Sequence, residues 1–183
     1  MAPKAKITGE MIREAAFAIV KEEGHENLNA RTIAKRLGCS TQPILYYFKT
    51  MDEIKQEVYH MADEYHSAYI MPDPDKAEDV FFLIAMNYIR FGSEEKNLFR
   101  FLFQANLFAG KSMSVLGDTS DDSPLLQLAS SYLHCSVQEA QEYFLTVLAA
   151  VHGYASLLAD NALEYDEKQV EKTIRIVFDG IIA

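Results

Sequence analysis

The sequence predicts an all-α protein in two parts, a three-helix N-terminal module followed by a larger C-terminal helical bundle. Three observations carry that expectation. Apolar residues recur at three- and four-residue steps through nearly the whole chain, and no stretch alternates as a half-buried strand would. Capping residues and glycines recur at helix-length intervals. The one dense breaker, Met71-Pro72-Asp73-Pro74-Asp75, marks the boundary between the two parts. With 183 residues, 49% of them apolar, the chain can bury a core and is too apolar for disorder.

Thr8 is placed to cap a first helix whose Met11, Ile12, Ala15, Ala16, Ile19 and Val20 share a face, and Gly24 ends it. Asn29 caps a short second helix that stops after Leu37 at Gly38. Ser40 is expected to open a third, with Pro43 in the first turn, where no intrahelical N–H bond is lost. Thr50-Met51-Asp52-Glu53 has the capping-box pattern and starts a fourth helix running to about Ile70. Beyond the breaker, helices are expected over 76–92, 94–108, 124–134, 137–160 and 167–182. Ser136-Val137-Gln138-Glu139 is a second capping box, at the head of the longest of these. The segment from Gly110 to Pro124, rich in Gly, Ser and Asp, reads as the one long loop, placed to gate a cavity.

Net charge is −10, unfavourable for a polyanion, but it is unevenly spread. Residues 1–55 hold nine Lys/Arg against seven acids, and the remainder holds eight against twenty. A mildly basic head on an acidic body confines a polyanion to one end. No apolar run approaches the roughly 20 residues of a membrane span, and the first residues lack the apolar stretch of a signal peptide. Cys39 and Cys135 stand apart without a zinc-ligand pattern, so they read as reduced thiols. A cytoplasmic protein without metal or cofactor is expected.

The informative stretch runs from Ala30 to Tyr47. Two helices crossing steeply around a tight turn need a small residue at the crossing, and Ala34 supplies it. The turn needs a residue comfortable at positive φ, which Gly38 provides four residues on. Ile33, Leu37, Cys39 and Ile44 face inward. Thr41, Gln42, Tyr46 and Tyr47 remain to reach base edges or phosphates.

These residues, within a resemblance spanning roughly 8–55, are similar to those of the tetracycline-repressor (TetR) family of transcriptional regulators. The pattern is a long first helix, then Ile33-Ala34-Lys35-Arg36-Leu37-Gly38-Cys39-Ser40, an apolar and aromatic helix ending at Phe48, and an acidic helix start. The resemblance implies a DNA-binding module over residues 1–48, with helix 4 as a connection. It implies that Thr41 and Gln42 face bases, that Tyr46 or Tyr47 meets the backbone or a base, and that Arg31 meets phosphate. Two positions depart from the pattern. Leu45 stands where the family usually has Tyr, and Met51 where it usually has Lys, leaving Lys49 and Thr50 as nearest substitutes.

Residues 71–183 would sense and dimerise. Val151-His152-Gly153-Tyr154, the linker Asn161 to Asp166 and the final amphipathic helix resemble the helix pair through which such regulators dimerise. Val151, Ala155 and Leu158 on the first helix, with Ile174 and Phe178 on the second, are the expected interface. Dimerisation also follows physically, since one short recognition helix buries too little surface for operator affinity. The body is dense in aromatics, and Phe82, Met86, Arg90, Phe103, Gln104, Tyr143 and His152 are candidates to line a pocket for an apolar or aromatic effector.

Other signals were weaker. Gly110-Lys111-Ser112 lacks the earlier glycine and preceding strand of a phosphate loop. His60, Glu64 and His66 lie near one another, but read as exposed and one ligand short of a metal site. No catalytic constellation is present. The sequence therefore predicts a homodimeric repressor of double-stranded operator DNA that responds to a small molecule. The rival is a helical ligand-binding protein or enzyme retaining an unused helix-turn-helix.

Overall fold

The Thr8 hydroxyl accepts the Met11 N–H (3.2 Å) and starts α1, Gly9–Glu23, which buries Ile12, Ala15, Ala16, Ile19 and Val20. The computed structural model describes residues 7–73, 79–105 and 123–182. Gly24, at φ 90°, ends α1 in a conformation that L side chains rarely adopt, and a 3₁₀ turn, His25–Asn27, leads on. The Asn29 carboxamide caps α2, Ala30–Leu37, by accepting from Arg31 and Thr32 N–H (3.0 and 3.1 Å), while Thr32 Oγ1 accepts from Asn29 N–H (3.1 Å). That reciprocal box uses Thr where Glu or Gln is usual. Gly38, in the left-handed region at φ 63°, turns the chain, and Cys39 N–H reaches back to Ala34 C=O (3.0 Å).

α3, Gln42–Tyr47, begins one residue later than a Ser40 cap would place it. Its cap is Thr41, whose side chain makes no capping bond, and Pro43 occupies the first turn. α4, Met51–Ile70, is capped by Thr50, whose hydroxyl accepts from Glu53 N–H (3.2 Å). In the body, α5 spans Val80–Glu94 and α8 spans Val137–Ala159 behind its Ser136–Glu139 box. α7, Pro124–Leu133, precedes α8, and α9, Glu167–Ile182, follows it.

The helix expected over 94–108 is divided. Glu95 breaks from α5, α6 covers only Lys96–Phe99, and the chain widens into a π-helical turn, Arg100–Gln104, closed by Ala105 N–H on Arg100 C=O (2.8 Å). The expected gating loop and the Gly110-Lys111-Ser112 segment lie outside the described residues. No strand occurs among the described residues.

One apolar core runs through the molecule, from Ile33 and Ile44 past Ile54 and Val58 to Phe91, Phe99, Leu158 and Ile174. α4 serves both parts, packing on α1 and on α5. A triad joins the same elements: Lys21 Nζ meets Glu95 (2.8 Å) and donates to Tyr65 (2.7 Å), and Tyr65 donates to Glu95 (2.6 Å). Partial burial pulls the Lys21 ammonium down, but the bonds to Glu95 and Tyr65 outweigh it and hold the group above its ordinary range.

α5 and α8 approach closely at Gly92, which has no side chain. A Cβ there would lie 2.8 Å from both the Cβ and the carbonyl oxygen of Ala155. α8 meets the length and composition of a membrane span, which the sequence reading did not anticipate. It is apolar on two faces. One face buries Ala140, Phe144, Val147, Val151 and Ala155 in the bundle, and the other leaves Leu145, Ala149, Gly153 and Leu157 exposed.

Candidate nucleic-acid interface

α2 and α3 present their outer residues at the end of the molecule remote from α8. Buried Ile33, Ala34 and Ile44, with half-buried Leu37 and Cys39, hold the two helices to each other and to α1. What remains outside is Arg31, Gln42, Leu45, Tyr46 and Tyr47, with Thr41 half-buried at the start of α3 and Lys49 just after it. The structure separates the two tyrosines. Tyr46 is 80% exposed, whereas the Tyr47 ring lies over the start of α1, 3.4 Å from where a Gly9 Cβ would stand. The rings meet edge to face at 5.3 Å, so Tyr47 supports Tyr46. Leu45, which the sequence reading left without a role, is 57% exposed beside them.

Ion pairing sorts the basic residues, which their spacing could not do. Arg36 donates to both carboxylate oxygens of Glu22 (2.8 and 2.7 Å) and lies 3.5 Å from Glu23. Arg13 pairs with Glu10 and Glu57, Lys21 with Glu95, and Lys55 with Asp52. Arg31, Lys35 and Lys49 have no ion-pair partner among the described residues, and Arg31 stands at the start of α2, where the helix dipole adds to its charge. Lys4 and Lys6 lie outside the described residues. Lys49 N–H donates to Glu53 (2.8 Å), fixing the corner between α3 and α4, and Met51 packs on the core in the position expected for Lys.

The expected dimer residues lie inside the bundle. Val151, Ala155, Leu158, Ile174 and Phe178 are buried within the single chain, Ala155 against Gly92 and Phe178 against Phe81 and Phe82. Helical spacing shows that an apolar stripe is covered but not by what, and here α5 covers it. The outward face of α8 instead carries Leu145, Ala149, Gly153 and Leu157 at four-residue steps, with nothing near Gly153. Ile176 of α9 is 64% exposed, and Gly180 is exposed with nothing near it.

The body contains a shallow apolar cleft, open to solvent, lined by Ile70, Phe81, Ile84, Ala85, Tyr88, Phe144, Val147, Leu148 and Val151. None of the seven predicted pocket residues lines it. Phe82 packs on Phe178 and under Arg175, and Met86 is buried in the core. Arg90 pairs with Glu167 (2.7 Å), Gln104 points to Asp160, and Tyr143 is exposed. His152 comes nearest, bonded through Nδ1 to the hydroxyl of Tyr88 (2.9 Å), and Phe103 packs on both rings. Burial holds His152 below the ordinary imidazole range and pushes the Tyr88 phenol up.

His66 also differs from expectation. His60 and Glu64 are exposed, but His66 is buried, edge to face with Tyr88, Phe91 and Phe103 at 5.3, 4.8 and 5.2 Å. It lies on the opposite side of α4 from any metal site those residues would build. Desolvation alone lowers it to about 4, so it is neutral.

With this geometry the chain superposes on solved structures. A transcriptional regulator from Rhodococcus sp. Rha1 matches with a TM-score of 0.63 at 19% identity, over 96% of each chain. The multidrug binding protein EbrR, solved with imidazole, matches with a TM-score of 0.56 at 15% identity, over 92% of this chain and 93% of that one. The all-α fold is shared with these two proteins. No family model matches the chain, and no curated protein does.

Proposed function

We propose that the protein is a DNA-binding transcriptional repressor of the tetracycline-repressor type, acting as a homodimer whose operator affinity a small molecule modulates. The observation that carries this reading is the outer face of α2 and α3. There Gln42, Leu45 and Tyr46 are exposed on the same two helices, or just after them, as Arg31, Lys35 and Lys49, cations with no ion-pair partner among the described residues. A major groove supplies both phosphates and base edges to such a face. Its likeness in fold to a transcriptional regulator over nearly the whole of both chains supports the same reading.

A second copy is argued from α8. Its outward row of leucines flanking small residues has no partner among the described residues, and a paired row would set two recognition helices at a fixed separation. Successive major grooves on one side of DNA are about 34 Å apart, which makes that separation decisive. A ligand in the cleft touches α4 at Ile70, and α4 starts three residues after α3 ends. Ligand that prefers one placement of α4 shifts operator affinity by its differential binding energy, about 1–3 kcal/mol in typical couplings. EbrR is a multidrug binding protein of similar fold, which favours a small apolar effector here.

The test is selection of DNA sites from a random pool with the full chain, followed by salt titration. An operator should emerge. Arg31→Ala should weaken binding to operator and random DNA alike and lower the salt slope by about one unit. Gln42→Ala should cost about 1–3 kcal/mol on the operator and relax preference at one or two positions. Selection that enriches nothing, with a salt slope near zero, overturns the reading.

A further inference from the structure

The segment from Glu95 to Gln104 holds the ends of two other helices. Glu95 leaves α5 with its side chain 15% exposed, meets Lys21 Nζ of α1 (2.8 Å) and accepts from the Tyr65 hydroxyl of α4 (2.6 Å). Asn97 donates to the Lys21 carbonyl (3.0 Å). The buried Phe101 ring lies 6.0 Å from that of His25, in the turn that leads from α1 to α2. The opposite grip is on the end of α8. Lys96 donates to Asn161 (2.6 Å), Arg100 to the Ala159 carbonyl, and Gln104 points to Asp160, so residues at four-residue steps all meet one helix end. Cations suit that end, where a helix leaves its last carbonyls unpaired and carries partial negative charge.

Both grips continue into the surfaces that operator binding would use. Next to Lys21, Glu22 accepts from Arg36 of α2 (2.8 and 2.7 Å), so the end of α1 held by Glu95 also holds α2. On the other side, Leu157 of the outward α8 row precedes Ala159 by two residues. Buried Leu98 and Phe99 keep the segment in place, but apolar contact is non-directional and does not select one orientation. A half-buried ion pair adds little stability over an apolar contact of similar size, and what it adds is preference for one arrangement.

We propose that residues 95–104 form a strut that fixes the face of α2 and α3 relative to the outward row of α8, with Glu95 as its positioning residue, so that a pair of chains accepts one spacing of half-sites. This rests on the reading of the chain as a DNA-binding homodimer and names what sets the separation of its recognition helices. Loss of the Glu95 bonds lets the N-terminal module turn without unfolding it, because Ile12, Ile19, Ile33 and Ile44 keep α1, α2 and α3 packed on one another.

The test uses the full chain with three kinds of DNA: the selected operator, its single half-site, and operators whose spacer is one base pair longer or shorter. One base pair moves a half-site by about 3.4 Å and turns it by about a tenth of a turn. Wild type should lose about tenfold or more in affinity on either altered spacer, and in Glu95→Ala that loss should shrink to about threefold or less. Affinity for the single half-site should stay unchanged. Glu95→Gln, which keeps the hydrogen bonds without the charge, should recover part of the discrimination. Arg100→Gln, which breaks the grip on α8, should relax the spacing in the same way, and it decides the matter should Glu95→Ala not fold. Spacer discrimination that survives in both variants, whatever happens to half-site affinity, overturns the strut while the DNA-binding reading stands. A chain that selects a lone half-site does the same. Selection that enriches no operator overturns both.

Discussion

At the scale of single residues, His66 and Leu45 both have surroundings that conflict with their chemistry. Burial without a partner lowers His66 from 6.5 to about 4, so the unfolded chain binds a proton more readily than the folded one between those values. Stability therefore falls as pH drops from 6.5 towards 4, the full transition being worth about 3 kcal/mol. The other titratable group facing it, Tyr88, stays neutral throughout that window, since burial raises its phenol. Denaturant midpoints measured across pH 4–7 should show a one-proton loss in the wild type that His66→Leu lacks. Equal slopes would mean that His66 is solvated after all. Leu45 presents an apolar side chain on a face otherwise suited to polar contacts, and a thymine methyl is the apolar feature a major groove offers. Replacing thymine by uracil, one site at a time, in a selected operator should reveal a position where loss of the methyl weakens wild-type binding several-fold. The same replacement should be silent in Leu45→Ala. A uracil scan with no such position would leave Leu45 without a reading role.

At the scale of helices, two glycines distinguish inside from outside. Gly92 lets α5 rest on Ala155 of α8, where a methyl group meets both a side chain and a backbone oxygen at 2.8 Å. Gly153, two residues before Ala155, faces open space. Gly92→Ala should cost about 1–3 kcal/mol by overpacking. Gly153→Ala should be neutral or stabilising for the protomer by up to about 1 kcal/mol, from helix propensity. Paired urea denaturation curves measure both. The reverse ranking would place the α5–α8 contact elsewhere. Helix existence was largely legible in the sequence, because Thr8, Asn29, Gly38, Thr50 and Ser136 act locally, within a turn of where they sit. The start of α3 and the break at Glu95 were not. Thr41 enters its helix without a side-chain bond, and Glu95 departs from α5 while engaged with Lys21 and Tyr65 of other elements.

At the scale of the whole molecule, the continuous core makes α4 a shared beam between the face of α3 and the cleft. The outward row on α8 gives the assembly its test. Gly153→Arg should leave the melting temperature of the protomer nearly unchanged and shift sedimentation at micromolar concentration from dimer to monomer. Operator affinity should fall with it, because each half-site would then be bound alone. A dimer that persists in Gly153→Arg would place the interface away from this stripe.

The sequence by itself determined that the chain is helical, where most helices begin and end, and that Ala34, Gly38 and Ile44 build a steep helix crossing with a short polar and aromatic helix beyond it. These are short-range matters of capping, periodicity and the one residue that tolerates positive φ. Only the tertiary structure decided which charges are free, which of two tyrosines is presented, and that Val151, Ala155 and Phe178 face their own chain. It also decided that the cleft is lined by residues other than those predicted. Each of these depends on what packs against a side chain from a distant part of the chain, and helical period records that a face is covered without recording what covers it.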